Sequence, residues 1–179
     1  YVLVPGAGGD AWYWHLVIPE ALARGHQVVA VSLQASDDSA GWTAYADTIV
    51  DAVGDRTGVI LVAQSLAGFS APLVCRRAPA GHLVPLHAMI PRPGETGADW
   101  WSNTGQQEAM LAHLTALGLP REAADDDTTL YLHDVSAQVR EEALRRGEPE
   151  QSWTPMTEPW PLEAWPEVPT RVLIGRDDR

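Results

Sequence analysis

Four or five short runs of β-branched and aliphatic residues constrain the fold of this 179-residue chain more than any other feature. Their apolar character is nearly continuous, which is typical of strands covered on both faces of a parallel sheet. Helical patterns separate the runs, and the clearest covers residues 42–53, where apolar residues form one stripe. This alternation predicts an α/β fold with a mostly parallel, doubly wound sheet and right-handed crossovers. The predicted strands are residues 1–4, 27–33, 58–63, 82–88 and 170–174.

The alternation of strands and helices stops between residues 91 and 169. This stretch is rich in Pro and Gly, and it contains helical segments at residues 110–117 and 135–146 but no strongly buried strand. An interruption of ~80 residues is too long for a plain loop, and it has too many apolar helical positions to be wholly disordered. We therefore predict an α/β core formed by residues 1–90 and 170–179, with an inserted helical cap, or lid, at residues 91–169.

A serine stands where the third predicted strand ends and a helical pattern begins, in the sequence V-I-L-V-A-Q-S-L-A-G-F. A nucleophile at such a position sits on a tight, strained turn, so the residues two places before and after it must be small. Around Ser65 these residues are Ala63 and Ala67. The usual pattern is G-x-S-x-G, whereas this chain has A-Q-S-L-A with Gly68 one place later. We predict that Ser65 is a catalytic nucleophile; the simpler alternative is a serine that caps a helix.

The first predicted strand ends in a Gly-rich loop, V-L-V-P-G-A-G-G. Near a nucleophile turn, such a loop supplies one backbone donor to the developing oxyanion, and the residue after the nucleophile supplies the other. The predicted donors are the N–H groups of Ala7 and Leu66. A dinucleotide site is the alternative, but its third glycine position holds Ala11, and residues 33–35 lack the acid that would bind ribose. No cofactor is therefore expected.

With both loops placed, the chain resembles the compact α/β-hydrolases that include plant methyl esterases of the salicylic-acid-binding type, plant hydroxynitrile lyases and bacterial esterase-like relatives. The resemblance is strongest over residues 2–33 and resumes at residues 59–68 and 171–178, which together cover roughly half of the chain. Pro5 departs from the family, which usually has the His of an H-G dipeptide there. The resemblance implies the α/β-hydrolase fold and a Ser–acid–His triad.

The same resemblance supplies the acid of the triad. After the last predicted strand the chain reads G-R-D-D-R, like the family's G-x-x-D, so Asp178 is the predicted acid and Asp177 the alternative. An Asp pair after a strand is also ordinary turn chemistry. In this fold the histidine follows the acid, so we expect it on a segment after Arg179 and interpret the chain as a fragment that stops before the last strand and helix. Among the six histidines present, His87 is the one expected near the carboxyl end of a strand.

Aromatic residues in the predicted cap are typical of an apolar substrate pocket, although for any single tryptophan packing of the cap onto the core is the favoured explanation. The implied substrate is a small to medium, largely apolar carboxylic ester, hydrolysed through an acyl-enzyme. A non-catalytic ligand-binding protein is the alternative. A hydroxynitrile-lyase-like enzyme is disfavoured, because those lyases rely on a cap lysine and this chain has no Lys. The predicted pocket residues are Trp12, Gln64, Met89, Trp100 and Trp101.

The net charge, the cysteine content and the spacing of possible ligands limit the partners, the location and the metal sites that can be expected. A net charge of -12 and a pI near 4.7 disfavour nucleic acid and anionic membrane surfaces as partners. The single cysteine, Cys75, fits a reducing compartment, so a cytoplasmic location is expected, and a homodimer is possible. No metal site is expected, because the histidines lack ligand spacing and the acidic run Asp125 to Asp127 lacks the glycine and closing acid of a calcium loop.

Overall fold

A computed structural model describes residues 1–147 and 150–176 of the chain. Its strands are β1 (Val2–Val4), β2 (Val29–Ala30), β3 (Val59–Gln64) and β4 (Ala80–Leu86). Its α-helices are α1 (Val17–Ala23), α2 (Trp42–Val53), α3 (Ala67–Val74), α4 (Gly97–Thr104), α5 (Gln106–Ala116), α6 (Asp127–Tyr131), α7 (Ala137–Arg146) and α8 (Thr154–Thr157). Short 3-10 helices cover Ala11–Trp14 and Arg121–Asp125. No helix in these ranges is long and apolar enough to cross a membrane.

The sheet is parallel throughout, and its strand order is β2-β1-β3-β4. Strand β1 pairs with β3 in a register that places Val4 opposite Ala63, and β3 pairs with β4 so that Gln64 lies opposite Leu86. The fifth predicted run contributes only isolated parallel bridges, Leu83 to Thr170 and Leu86 to Leu173. The predicted α/β fold with a parallel sheet is confirmed, and the carboxyl ends of β1, β3 and β4 are brought to one edge.

Helices α2 and α3 pack against each other and cover one face of the sheet. The apolar stripe predicted for residues 42–53 matches α2 at both ends, and Trp42 stacks on Phe69 of α3 with ring centroids 4.7 Å apart. The Glu158 carboxylate caps the start of α2 by accepting a hydrogen bond from Trp42 N–H at 2.9 Å. The negative charge also complements the positive end of the helix dipole.

The chain divides into two compact units, one formed by Tyr1–Ala98 with Pro149–Gly175 and the other containing Asp99–Glu148. The second unit has its own small core around Leu114, Ala123 and Leu130. In the first unit, a Cβ added to Gly97 would lie 3.2 Å from Met156 Cα, so the backbones at these two positions are adjacent. The first unit thus includes residues 91–98 and 150–169, which the sequence analysis assigned to the cap. The cap assignment itself stays a prediction.

Candidate active site

Ser65 occupies the turn between β3 and α3 with a backbone φ of +50°, in the left-handed region. This conformation costs a non-glycine residue about 1–2 kcal/mol, so neighbouring contacts must hold it. Ser65 N–H donates to the Leu86 carbonyl at 3.1 Å, and the Ser65 carbonyl accepts from Gly68 N–H at 3.1 Å and from Met89 N–H at 3.0 Å. The turn is therefore tied both to its own helix and to the end of β4.

Crowding around this turn explains its unusual motif. Ala63 and Ala67, the two positions that the sequence required to be small, are buried with 1% and 2% exposure. The tightest backbone contact lies one residue after Ala67, at Gly68, where an added Cβ would lie 1.9 Å from the Met89 carbonyl oxygen. Alanine therefore fits at position 67, and the position that demands glycine is 68.

The Gly-rich loop after β1 lies directly against the Ser65 turn. Gly6 N–H donates to Gln64 Oε1 at 2.7 Å, and a Cβ on Gly6 would lie 2.8 Å from Ser65 Cβ. The loop closes on itself through Gly9 N–H, which donates to the Gly6 carbonyl at 3.1 Å. The structure thus brings together the two segments that the sequence singled out independently.

The N–H groups of Ala7 and Leu66 are the predicted oxyanion donors. Within the part of the chain that the structure describes, neither group has a hydrogen-bond partner, and Ala7 is exposed. The next N–H, that of Gly8, donates to Gln151 Oε1 at 3.0 Å. Gln151 is separated from Gly8 by 143 positions, and no local sequence signal indicates this contact. It is the residue near the site that sequence reasoning missed.

His87 follows β4 and, like Ser65, is a non-glycine residue with a positive φ, at +45°. Its N–H donates to the Leu173 carbonyl at 3.0 Å, and its Nε2 accepts from Gly175 N–H at 2.9 Å. Both left-handed residues thus stand at the carboxyl ends of neighbouring strands, where such strain commonly marks functional sites. The predicted acid Asp178 and its alternative Asp177 lie outside the described residues.

Three of the other five histidines have partners other than Ser65. His15 Nδ1 lies 2.8 Å from the Trp12 carbonyl, His26 packs edge-on against Tyr1, and His133 Nδ1 lies 3.2 Å from the Leu130 carbonyl. Across residues 1–147 and 150–176, no histidine nitrogen is hydrogen-bonded to Ser65 Oγ. A base for Ser65 is therefore not supplied by hydrogen bonding within this part of the chain.

The predicted pocket residues divide between the two units. Gln64 and Met89 belong to the turn itself, through Gln64 Oε1 and the Met89 backbone, and Met89 is 4% exposed. Trp12 follows the Gly-rich loop and stacks on His15 with centroids 4.2 Å apart. Trp100 and Trp101 pack edge to face on α4, at 5.7 Å, in the second unit. Their role as pocket residues stays a prediction.

The described residues contain no group of three or more His, Cys, Asp or Glu side chains placed to hold a metal ion. The acidic run at residues 125–127 has a local explanation, because Asp126 caps α6 by accepting from Thr128 N–H at 3.1 Å and from the Thr129 hydroxyl at 2.5 Å. The hydrogen bond from the Thr129 hydroxyl is the main reason that the Asp126 pKa is lowered. This stretch is therefore a helix cap.

Cys75 at the end of α3 is expected to react slowly with thiol reagents. Burial raises the pKa of Cys75 to about 11, so about one thiol in a thousand is ionised at pH 8. Iodoacetamide should therefore alkylate Cys75 roughly a hundredfold more slowly in the folded protein than in guanidinium, measured by mass spectrometry of the Cys75 peptide. Equal rates in the two conditions would contradict the buried, protonated thiol.

A profile of the family described as "Alpha/beta hydrolase family" matches residues 1–179. Among solved structures, an extracellular alpha/beta-hydrolase from a Paenibacillus species superposes with a TM-score of 0.73 at 19% identity, over 97% of this chain and 76% of that chain. Polyneuridine aldehyde esterase does so with a TM-score of 0.73 at 18% identity, over 99% of this chain and 80% of that chain. These likenesses confirm the predicted fold and the resemblance to compact esterase-like hydrolases.

A curated plant relative is similar in sequence over a shorter stretch. Norfluorocurarine synthase 1 from Strychnos nux-vomica is 34% identical over 89 residues, which is 44% of this chain and 34% of that protein. The matched stretch therefore spans about a third of the length of this relative.

Proposed function

Because the chain belongs to the alpha/beta hydrolase family, we propose that it is a serine esterase in which Ser65 is the nucleophile. The observation that carries the proposal is the left-handed φ of +50° at Ser65, on a strand-to-helix turn. Beside this turn lies a Gly-rich loop in which one N–H has no acceptor among residues 1–147 and 150–176. A helix-capping serine, which was the simpler alternative, normally has an extended backbone. The strained turn instead fits a residue that must present its hydroxyl above the sheet edge.

In the proposed reaction, Ser65 Oγ attacks the carbonyl carbon of an ester while its proton passes to a histidine base. The carbonyl oxygen becomes an oxyanion that accepts hydrogen bonds from the N–H groups of Ala7 and Leu66, and removal of such a donor commonly costs about 3 kcal/mol. Collapse of this intermediate releases the alcohol, which takes up the proton, and leaves an acyl-enzyme. Water then attacks the acyl carbon and releases the acid.

The proposed acid and base follow the order in which the triad residues occur along the chain in this fold, with the acid after the serine and the histidine after the acid. Asp178 is the proposed acid, which would hold the imidazole in the correct tautomer, and the histidine base is proposed C-terminal to it. His87 Nε2 already accepts from Gly175 N–H, so this nitrogen is engaged away from the Ser65 hydroxyl. His87 is therefore not the proposed base.

The proposed substrate is a small to medium, largely apolar carboxylic ester. Two considerations support this class: polyneuridine aldehyde esterase, which by its name acts on an ester, shares the fold, and Trp12, which follows the Gly-rich loop, is proposed to line the pocket. The chain has no Lys, which disfavours the lyase alternative.

A fluorophosphonate probe tests the nucleophile directly, because it phosphonylates serines that are activated by a base and an oxyanion hole. In the natural full-length protein, peptide mapping should find one adduct, on Ser65, and the same protein unfolded in guanidinium should carry none. A folded protein that takes up no probe at Ser65 would refute the proposal and favour a non-catalytic ligand-binding protein.

A further inference from the structure

The backbone donors of the Gly-rich loop can be followed one by one from Gly6 to Gly9. Gly6 N–H donates to the side chain of Gln64, Gly8 N–H donates to the side chain of Gln151, and Gly9 N–H donates to the Gly6 carbonyl. Of these four consecutive groups, Ala7 N–H alone has no acceptor in the described part of the chain. Two glutamine side chains thus accept hydrogen bonds from the N–H groups on either side of Ala7 N–H.

The orientation of the Gln151 amide follows from its other contacts. Gln151 Nε2 donates to the Ser152 carbonyl at 2.9 Å and to the Tyr45 hydroxyl at 3.1 Å. A backbone carbonyl can only accept a hydrogen bond, so the amide nitrogen must face Ser152 and the amide oxygen must face Gly8. The contact between Gln151 and Gly8 is therefore a genuine donor–acceptor pair.

The segment that carries Gln151 is itself anchored to the first unit. Ser152 N–H donates to the Ala35 carbonyl at 2.7 Å, and Ser152 Oγ donates to Asp38 Oδ1 at 2.8 Å. Ser152 is buried, with 7% exposure. Gln151 thus projects from a fixed backbone and can hold the loop in place.

We propose that Gln64 and Gln151 are positioning residues for the oxyanion donor, holding the Gly-rich loop from both sides so that Ala7 N–H is presented to the substrate. This inference rests on the proposed esterase function. Oxyanion stabilisation depends on donors that are fixed before the reaction, and a displacement of about 1 Å can cost about a hundredfold in rate. Neither glutamine touches the reacting atoms in this proposal, so each acts through the loop.

The test replaces Gln151 by Met, which keeps the length of the side chain but removes its acceptor and donor. In the natural full-length protein, Gln151→Met should lower kcat on a p-nitrophenyl ester by roughly 10-fold to 100-fold with little change in KM, because the lost stabilisation belongs to the transition state. The rate of inactivation by a fluorophosphonate should fall by a similar factor. Gln64→Met gives an independent test from the other side of the loop if Gln151→Met does not fold.

Tyr45→Phe is the matched control, since it removes a partner of Gln151 but leaves the acceptor for Gly8 N–H. It should stay within about twofold of the wild-type kcat. The inference is overturned if Gln151→Met keeps the wild-type kcat, if its loss is confined to KM, or if Tyr45→Phe loses as much. Wild-type protein that never labels at Ser65 would refute the esterase proposal itself, whereas normal labelling of both wild type and Gln151→Met would refute the positioning inference alone.

Discussion

The Ser65→Ala variant of the natural full-length protein is expected to lose at least about 10⁴-fold in kcat for ester hydrolysis while remaining folded. Without the hydroxyl the proposed acyl-enzyme cannot form, and only the stabilisation by the proposed oxyanion donors and the bound geometry remains. Alanine and serine are both strained at a φ of +50°, so the change should leave the free energy of unfolding within about 0.5 kcal/mol. Initial rates on a p-nitrophenyl ester and guanidinium unfolding measure the two quantities.

Ser70→Ala is the matched control in the following helix. Ser70 is fully buried, and its hydroxyl makes one long hydrogen bond, 3.4 Å, to the Ala67 carbonyl. This variant should keep kcat within about twofold, because the hydroxyl removed is not the proposed nucleophile. Comparable activity in the Ser65→Ala and wild-type proteins would show that another group performs the reaction.

Replacing Gly68 by alanine is expected to destabilise the protein by about 2–4 kcal/mol, more than an ordinary overpacking substitution. The added Cβ would lie 1.9 Å from the Met89 carbonyl oxygen and 3.1 Å from Ala88 Cβ, and a backbone group cannot rotate aside. Moving the Met89 backbone would also strain the hydrogen bond from Met89 N–H to the Ser65 carbonyl. Guanidinium unfolding should show the loss of stability, and slower labelling of Ser65 should accompany it.

Gly81→Ala in β4 is the control for this substitution. A Cβ at Gly81 would meet its nearest neighbour, Gly58 Cα, at 3.4 Å, which is an ordinary contact. The free energy of unfolding should change by less than about 1 kcal/mol. If Gly68→Ala proved as stable as Gly81→Ala, the proposed crowding at the turn would be wrong.

The fold was largely predictable because most of its elements carry a local pattern. Helix α2 begins and ends where its apolar stripe does, at Trp42 and Val53. Strand β2 was predicted as residues 27–33, yet only Val29 and Ala30 pair, because its partner β1 has three residues and is followed by Pro5, which has no N–H to donate. Strand length depends on the partner, and a single run of sequence does not reveal it.

The candidate site was predictable only where its parts are contiguous in sequence. Ser65 and the Gly-rich loop each carry a short motif, and their adjacency follows from the parallel pairing of β1 with β3. The role of Gln64 as an acceptor for Gly6 N–H, and that of Gln151 for Gly8 N–H, had no such signal. The sequence around a glutamine does not show whether its side chain holds a loop or faces water, so only the tertiary structure distinguishes these cases.

The adjacency of Gly97 and Met156 has an evolutionary consequence. The stretch between them is a long loop whose two ends lie next to each other in the first unit. The entropic cost of closing such a loop rises by only about 0.6 kcal/mol for each doubling of its length. Insertions, deletions or replacement of this stretch can therefore accumulate during evolution without displacing the Ser65 turn.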